Sequence, residues 1–115
     1  MTNKSDMEIV YENYLHSDDI EIEIDDVRYF KIIEKSKVPV RDGIVTICVP
    51  SKTFKSNENN TILDESGKKF NISGPAFYSF RGNVPRWYLE TLTVVVNDIS
   101  DENDIGSYIA LIWKL

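Results

Sequence analysis

The sequence predicts a mainly β protein: a single antiparallel β-barrel or sandwich of seven to eight short strands with one short N-terminal helix. Three observations lead to this prediction. Short β-branched, apolar stretches recur along the chain, one of them alternates strictly between isoleucine and acidic residues, and turn-forming residues separate them. A chain of 115 residues, 42% of them hydrophobic, is expected to form one domain, residues 1–115, around one core.

The first element is expected to be a helix over residues 5–15. Ser5 and Glu8 have the spacing of a capping box. The apolar residues that would share one helical face are Met7, Val10, Tyr11 and Tyr14. An edge strand through "MEIVY" is the alternative, because β-branched residues occur there as well.

The segments "DIEIEID" and "VRYFKIIEK" predict the two strands of a β-hairpin with Asp25 and Asp26 as a two-residue turn. In that register apolar groups meet apolar groups and opposite charges meet: Ile24 faces Val27, Glu23 faces Arg28, and Ile22 faces Tyr29. A longer loop stays open as an alternative, because Asp-Asp forms this turn less readily than Asn-Gly.

The rest of the chain predicts further strands. "IVTICV" suits a central strand because it is apolar on both faces. "PSKTFKSNENN" is expected to be a mobile loop. "TILDESGKKFNI" predicts two strands joined by a turn at residues 65–67. "AFYSF" can be a strand and "RGNVP" can be a turn. "RWYLETLTVVVNDI" is expected to be one long, bent strand. After the polar turn "SDENDIG", "SYIALIWKL" is expected to be the final strand.

The charge distribution favours a protein partner. The net charge of −6 disfavours attraction to nucleic acid or anionic lipid. Residues 6–26 hold only acidic side chains among Asp, Glu, Lys and Arg, whereas residues 66–89 hold only basic ones. The N-terminus has no secretory pattern, and no apolar run approaches the roughly 18 to 20 residues of a membrane helix. We therefore expect a cytoplasmic protein that does not associate with membranes.

The residues needed for common catalytic and metal sites are missing. One histidine, His16, and one cysteine, Cys48, are too few for a zinc site, and Cys48 is expected to be a buried apolar residue. "DENDIG" begins like a calcium loop, but Ile105 and Ile112 occupy positions that need oxygen ligands. No glycine-rich phosphate loop occurs. We expect no enzyme activity, no metal and no cofactor.

The stretch "GPAFYSFRGNVPRWYLETL" is the first candidate binding surface, because aromatic rings and cations together suit recognition of proteins or single-stranded nucleic acids. With the two preceding lysines, the aromatic-basic tract comprises Lys68, Lys69, Phe77, Phe80, Arg81, Arg86, Trp87 and Tyr88. The simpler interpretation is that its rings belong to the core and its arginines keep a turn soluble. The second candidate surface is acidic and comprises Glu21, Glu23 and Asp25.

Two segments, "GKKFNISGP" (67–75) and "DIGSYIALI" (104–112), resemble parts of the β-barrel found as the second domain of translational GTPases. The intervening "TLTVVVNDI" is placed like the strand between them. The resemblance implies a barrel. It transfers no activity in the absence of a GTP-binding domain.

These observations predict a small, non-enzymatic domain that binds another protein. A specific version is an acidic immunity or inhibitor protein that neutralises a cationic toxin or nuclease, since complementary charge speeds encounter. The alternative is a nucleic-acid or ribosome-associated accessory barrel that uses Arg81, Arg86, Trp87 and Tyr88. An enzyme with unrecognised carboxylate chemistry ranks third, and self-association stays open.

Overall fold

The computed structural model describes residues 6–38, 43–51, 61–75 and 81–111, with only the backbone described at residues 74, 75 and 111. Its elements are α1 (Asp6–Leu15), β1 (Glu21–Ile24), β2 (Val27–Lys31), β3 (Glu34–Lys37), β4 (Ile44–Pro50), β5 (Thr61–Asp64), β6 (Lys69–Pro75), α2 (Arg86–Glu90), β7 (Thr91–Asn97) and β8 (Tyr108–Leu111), with a 3₁₀ turn at Glu102–Asp104 before β8. The mainly β class with a short N-terminal helix is confirmed.

The eight strands form one antiparallel sheet in the order β1-β2-β8-β5-β6-β7-β4-β3. Within the described ranges this order has two ends, β1 and β3, so the hydrogen-bonded ladder is not closed into a barrel. A sandwich-like arrangement, in which one sheet folds over a shared core, fits this order.

The short link between β2 and β3 connects two strands that are far apart in the order of the sheet. Only Ile32 and Ile33 separate these strands, yet β2 pairs with β8 and β3 pairs with β4. The N–H of Ile32 donates to Ser107 O at 2.9 Å, and the N–H of Ile33 donates to Cys48 O at 2.7 Å. The backbone thus changes partner within two residues, which folds the sheet around its core.

The predicted β1–β2 hairpin is confirmed in its register. Asp25 and Asp26 form the turn with φ values of 51° and 65°, the left-handed conformation that a two-residue turn of type I′ requires. The pairs across the strands are Glu21 with Phe30, Ile22 with Tyr29, Glu23 with Arg28, and Ile24 with Val27. Aspartate tolerates this conformation better than most residues, so Asp-Asp suffices here.

The core lies beneath β4 and its neighbours. β4 pairs with β3 on one side and β7 on the other, as expected for "IVTICV". Among the described residues, the largest fully enclosed side chains are Val45, Ile47, Val49, Ile62, Val96, Ile105 and Ile109. Cys48 is also buried, and burial raises the pKa of its thiol. The prediction of a buried, unreactive cysteine agrees with this environment.

Two elements differ from their predictions. The stretch "VRYFKIIEK" is not one strand, because β2 ends at Lys31 and β3 runs separately from Glu34 to Lys37. Residues 86–97 are not one long strand, because α2 precedes β7. Pro85 lies at the N-terminal end of α2 with φ −61°, and residues 86–90 contain no β-branched side chain. The β-branched run that favours a strand begins only at Thr91. The alternative edge strand through "MEIVY" is likewise wrong, since these residues belong to α1.

Several expectations lie outside the described residues. They are the cap at Ser5, the mobile loop beyond residue 51, the strand at 76–80 and the last four residues of the final strand. The turn at 65–67 is present, with Gly67 at φ 88°. None of the helices in the described ranges has the length and apolar character needed to cross a membrane.

Candidate functional site

The aromatic-basic tract is distributed over several elements. Arg81 is exposed in the bend before α2, and Lys68 and Lys69 are exposed at the start of β6. Lys68 Nζ lies 5.2 Å from the centroid of the Phe70 ring, a cation–π distance. The predicted residues Phe77 and Phe80 lie outside the described ranges.

Trp87 packs in a small second core between α1 and α2. It is only 6% exposed and clusters with Tyr11 and Tyr14, whose ring centroids lie 6.1 Å apart. Tyr88, which is half-buried, meets Trp87 edge to face at 5.9 Å. The Trp87 ring is therefore covered by protein, as the core interpretation of this stretch requires.

Glu90 of α2 accepts two hydrogen bonds, and the one from Tyr11 joins α2 to α1. The Tyr11 hydroxyl donates to Glu90 Oε2, and Arg86 Nε donates to Glu90 Oε1 at 2.9 Å. Burial and the nearby carboxylate raise the pKa of Tyr11 to about 12. The hydrogen bonds from Tyr11 and Arg86 lower the pKa of Glu90. The Arg86 guanidinium thus forms an ion pair within its own chain.

Two recesses flank α1. One of about 230 Å³ lies against α2, and one of about 240 Å³ lies against the β2–β3 bend. Ligand pockets usually enclose about 300 to 1,000 Å³. Neither recess therefore has the size of a typical small-molecule site, and the described residues contain no group of three His, Cys, Asp or Glu side chains suited to a metal ion.

The acidic hairpin, residues 21–28, extends from one end of the sheet. Its exposed acidic residues are Glu21, Glu23, Asp25 and Asp26, of which the first three are the predicted second surface. Arg28 Nε lies 4.0 Å from Glu21 Oε2, a pair too exposed to fix either side chain strongly. Ile24 and Val27 beside the turn are 38% and 36% exposed. The hairpin thus presents a negative surface with an apolar tip.

Asp64 stabilises the predicted turn at residues 65–67 through a buried carboxylate, a role that the sequence did not predict. Its side chain is buried; Oδ1 accepts from Ser66 N at 3.0 Å, Ser66 Oγ at 2.5 Å and Lys68 N at 3.1 Å, and Oδ2 accepts from Gly106 N at 3.1 Å. Burial acts to raise the pKa of Asp64, but these hydrogen bonds hold the pKa below its ordinary value. All four donors are groups of the chain itself that lie in or beside the turn. The Asp64 carboxylate therefore has a structural role.

Glu65 extends the same connection to β8. Its two carboxylate oxygens accept from the N–H groups of Ser107 and Tyr108, each at 2.9 Å. The "DESG" sequence suggests an Asp-stabilised turn, but it contains no signal for a partner 42 residues away. The two acidic residues hold residues 106–108 against the β5–β6 turn.

Gly106 is expected to be required by this contact. A Cβ at position 106 would fall inside contact distance of both carboxylate oxygens of Glu65. We expect Gly106→Ala to lower the free energy of unfolding by about 1 to 2 kcal/mol, because Glu65 must withdraw from Ser107 and Tyr108. Urea denaturation measures this loss.

A double-mutant cycle with Glu65→Ala tests the cause of that loss. In the Glu65→Ala background the added methyl group has no carboxylate to displace, so Gly106→Ala should cost less than half as much. Equal costs in the two backgrounds would show that Glu65 is not the reason. Gly67→Ala, at an exposed glycine with nothing near its Cβ position, measures the backbone cost of a positive φ alone.

Comparison with known proteins finds no matching family model, no similar curated protein and no similar solved structure. The two segments that resemble the second domain of translational GTPases lie on either side of β5, in β6 and β8. That relationship stays a prediction from the sequence.

Proposed function

We propose that this protein is a non-enzymatic domain that binds a positively charged protein through its acidic hairpin. The observation that carries the proposal is the position of Glu21, Glu23 and Asp25 on an exposed hairpin at one end of the sheet. An immunity or inhibitor protein that neutralises a cationic toxin or nuclease is the specific form of this proposal. A cytoplasmic setting belongs to it, since the lone buried Cys48 suits a reducing compartment.

The acidic hairpin has better support than the aromatic-basic tract. Trp87 is buried against α1, and Arg86 is paired with Glu90. An aromatic anchor in an interface must offer its ring to the partner, and a paired arginine must first lose its partner. Glu21 is within 4.0 Å of Arg28, but that exposed pair is a weak one. The net charge of −6 attracts a cationic partner at long range.

A nucleic-acid role has weaker support for the same reason. Single-strand binders stack bases on exposed aromatic faces, whereas the Trp87 ring is covered. The overall negative charge also opposes approach to phosphates. This alternative predicts retention of RNA that weakens as salt rises.

Affinity capture from a native lysate with a charge-reversed hairpin tests the proposed function. Glu21→Lys combined with Glu23→Lys should remove a set of captured proteins that are basic at neutral pH. Asp25 is left unchanged because its φ of 51° favours aspartate over lysine. Quantitative mass spectrometry measures the captured proteins at two salt concentrations, and circular dichroism checks that the variant is folded.

The control reverses two carboxylates elsewhere on the surface. Glu102→Lys combined with Asp104→Lys changes the net charge by the same amount, in the 3₁₀ turn before β8. If both double variants lose the same proteins, overall charge and not the hairpin attracts them, and the proposal fails. It also fails if nuclease treatment releases every captured protein, which would indicate nucleic-acid binding.

A further inference from the structure

We infer that the partner binds by strand addition: an extended segment, in which basic and apolar side chains alternate, pairs with the outer edge of β1. This inference rests on the proposed function and specifies how the hairpin recognises its partner. β1 is the terminal strand of the sheet, and no other described strand besides β2 pairs with it. Pairing at a terminal strand is a recurrent mode of peptide recognition.

The register of the hairpin shows which backbone groups face outward. In a hairpin with a two-residue turn, the residues flanking the turn form a hydrogen-bonded pair, and such pairs alternate along the ladder. The N–H of Lys31 donates to Ile20 O at 2.9 Å, which agrees with this phase. Ile22 and Ile24 therefore direct their N–H and C=O groups toward β2, and Glu23 directs its own away from β2.

The same alternation defines the partner's side chains. Residues directly opposite each other in antiparallel strands lie on the same face of the sheet. A partner residue opposite Glu23 would lie beside its exposed carboxylate and suits lysine or arginine. Residues opposite Ile22 and Ile24 would lie on the other face, where Ile24 is 38% exposed, and suit apolar side chains. The segment that fits is therefore alternately basic and apolar.

A second copy of this chain does not fit the same edge. If two β1 strands pair antiparallel, the register places glutamate opposite glutamate or glutamate opposite isoleucine, and both arrangements are unfavourable. The other end of the sheet, β3, offers Lys35 and Lys37, but Lys35 Nζ already donates to Ile105 O at 2.9 Å in its own chain. Charged residues on a terminal strand commonly prevent such self-pairing.

Synthetic peptides with alternately methylated backbones test this inference. The probe is an eight-residue peptide of alternating lysine and valine, titrated against the full chain by fluorescence anisotropy. Two isomers carry the same number of N-methyl groups, either on the lysines or on the valines. The lysine opposite Glu23 would direct its N–H at β1, so methylation of the lysines should weaken binding at least about tenfold. Methylation of the valines should change it less than about twofold, because their N–H groups point away.

Nuclear magnetic resonance gives a second readout at the level of single residues. Binding should shift the Glu23 amide and slow its hydrogen exchange, while the Ile22 amide, already directed at β2, exchanges as before. A peptide with four lysines followed by four valines controls for charge and composition. It should bind at least about tenfold more weakly than the alternating peptide.

The outcomes separate the binding mode from the proposed function. Equal weakening by both isomers, or no binding of the alternating peptide, overturns strand addition and leaves the lysate experiment to decide the function. Sedimentation of the protein alone as a dimer that Glu23→Lys dissociates would also overturn it, because the edge would then serve a second copy. If the charge-reversed hairpin captures all proteins as before, the proposed function itself fails.

Discussion

Replacing Asp64 with alanine is expected to lower the free energy of unfolding by about 3 to 5 kcal/mol. Asp64 is only 3% exposed, and its carboxylate accepts hydrogen bonds from the backbone N–H groups of Ser66, Lys68 and Gly106. Its removal leaves these donors without their acceptor and releases the β5–β6 turn from residues 106–108. Urea denaturation followed by circular dichroism measures the loss.

Two further variants make that result specific. Asp104→Ala, at an exposed position in the 3₁₀ turn, should change the free energy of unfolding by less than about 0.5 kcal/mol. Asp64→Asn should fall between the two, because one amide oxygen can accept from Ser66 and Lys68 but the amide nitrogen cannot accept from Gly106. If Asp64→Ala were as mild as Asp104→Ala, the buried hydrogen bonds would contribute nothing measurable.

Asp64 is also expected to make stability depend on pH. Its pKa in the folded chain lies below the ordinary value, so the folded state binds its proton less readily than the unfolded state. This contribution is fully present above about pH 5 and is lost as the pH falls through about 4 toward the lower folded pKa. The difference between wild type and Asp64→Asn should therefore shrink between about pH 5 and pH 3. A constant difference over that range would contradict the assignment.

Replacing Trp87 with alanine is expected to cost about 3 to 5 kcal/mol. The ring fills the contact between α1 and α2, and truncation leaves a cavity beside Tyr11 and Tyr14. Leu89→Ala on the same helix is the matched control, because Leu89 is 68% exposed. That variant should change the free energy of unfolding by less than about 0.5 kcal/mol. Chemical denaturation of both variants measures the difference.

This comparison also decides between the two interpretations of the aromatic-basic tract. If the Trp87 ring belongs to the core, Trp87→Ala should lower the free energy of unfolding. The fraction of the variant that stays folded should then keep its binding partners. If Trp87→Ala were as stable as wild type but captured fewer proteins, Trp87 would be a binding residue. The aromatic-basic tract would then replace the acidic hairpin as the preferred surface.

Local patterns in the sequence predicted some elements in detail. "EIEIDDVRYF" predicted both the turn and the register of the first hairpin, because alternation and turn chemistry act between near neighbours. The apolar stretch "IVTICV" predicted a strand buried on both faces, and its cysteine is buried as expected. The acidic surface could be predicted for the same reason, since strict alternation places Glu21 and Glu23 on one face.

Long-range contacts account for the elements that were not predicted. "RWYLE" contains residues that favour helices and residues that favour strands. In the folded chain it is a helix that packs against α1. The attachment of the β5–β6 turn to Gly106 was not predicted, and neither was the bend at Ile32 and Ile33, whose partners are Ser107 and Cys48. No local sequence pattern specifies these partners.

The amino-acid sequence by itself determined which side chains share a face, because the twofold period of a strand depends only on chain geometry. It therefore specified the acidic face of β1 and the β1–β2 turn. Only the tertiary structure decided that β1 ends the sheet and that Trp87 lies under α1. The strands that pair with a given strand, and the residues that cover an aromatic ring, come from distant segments of the chain. Their positions therefore follow from the packing of the whole chain and not from local sequence.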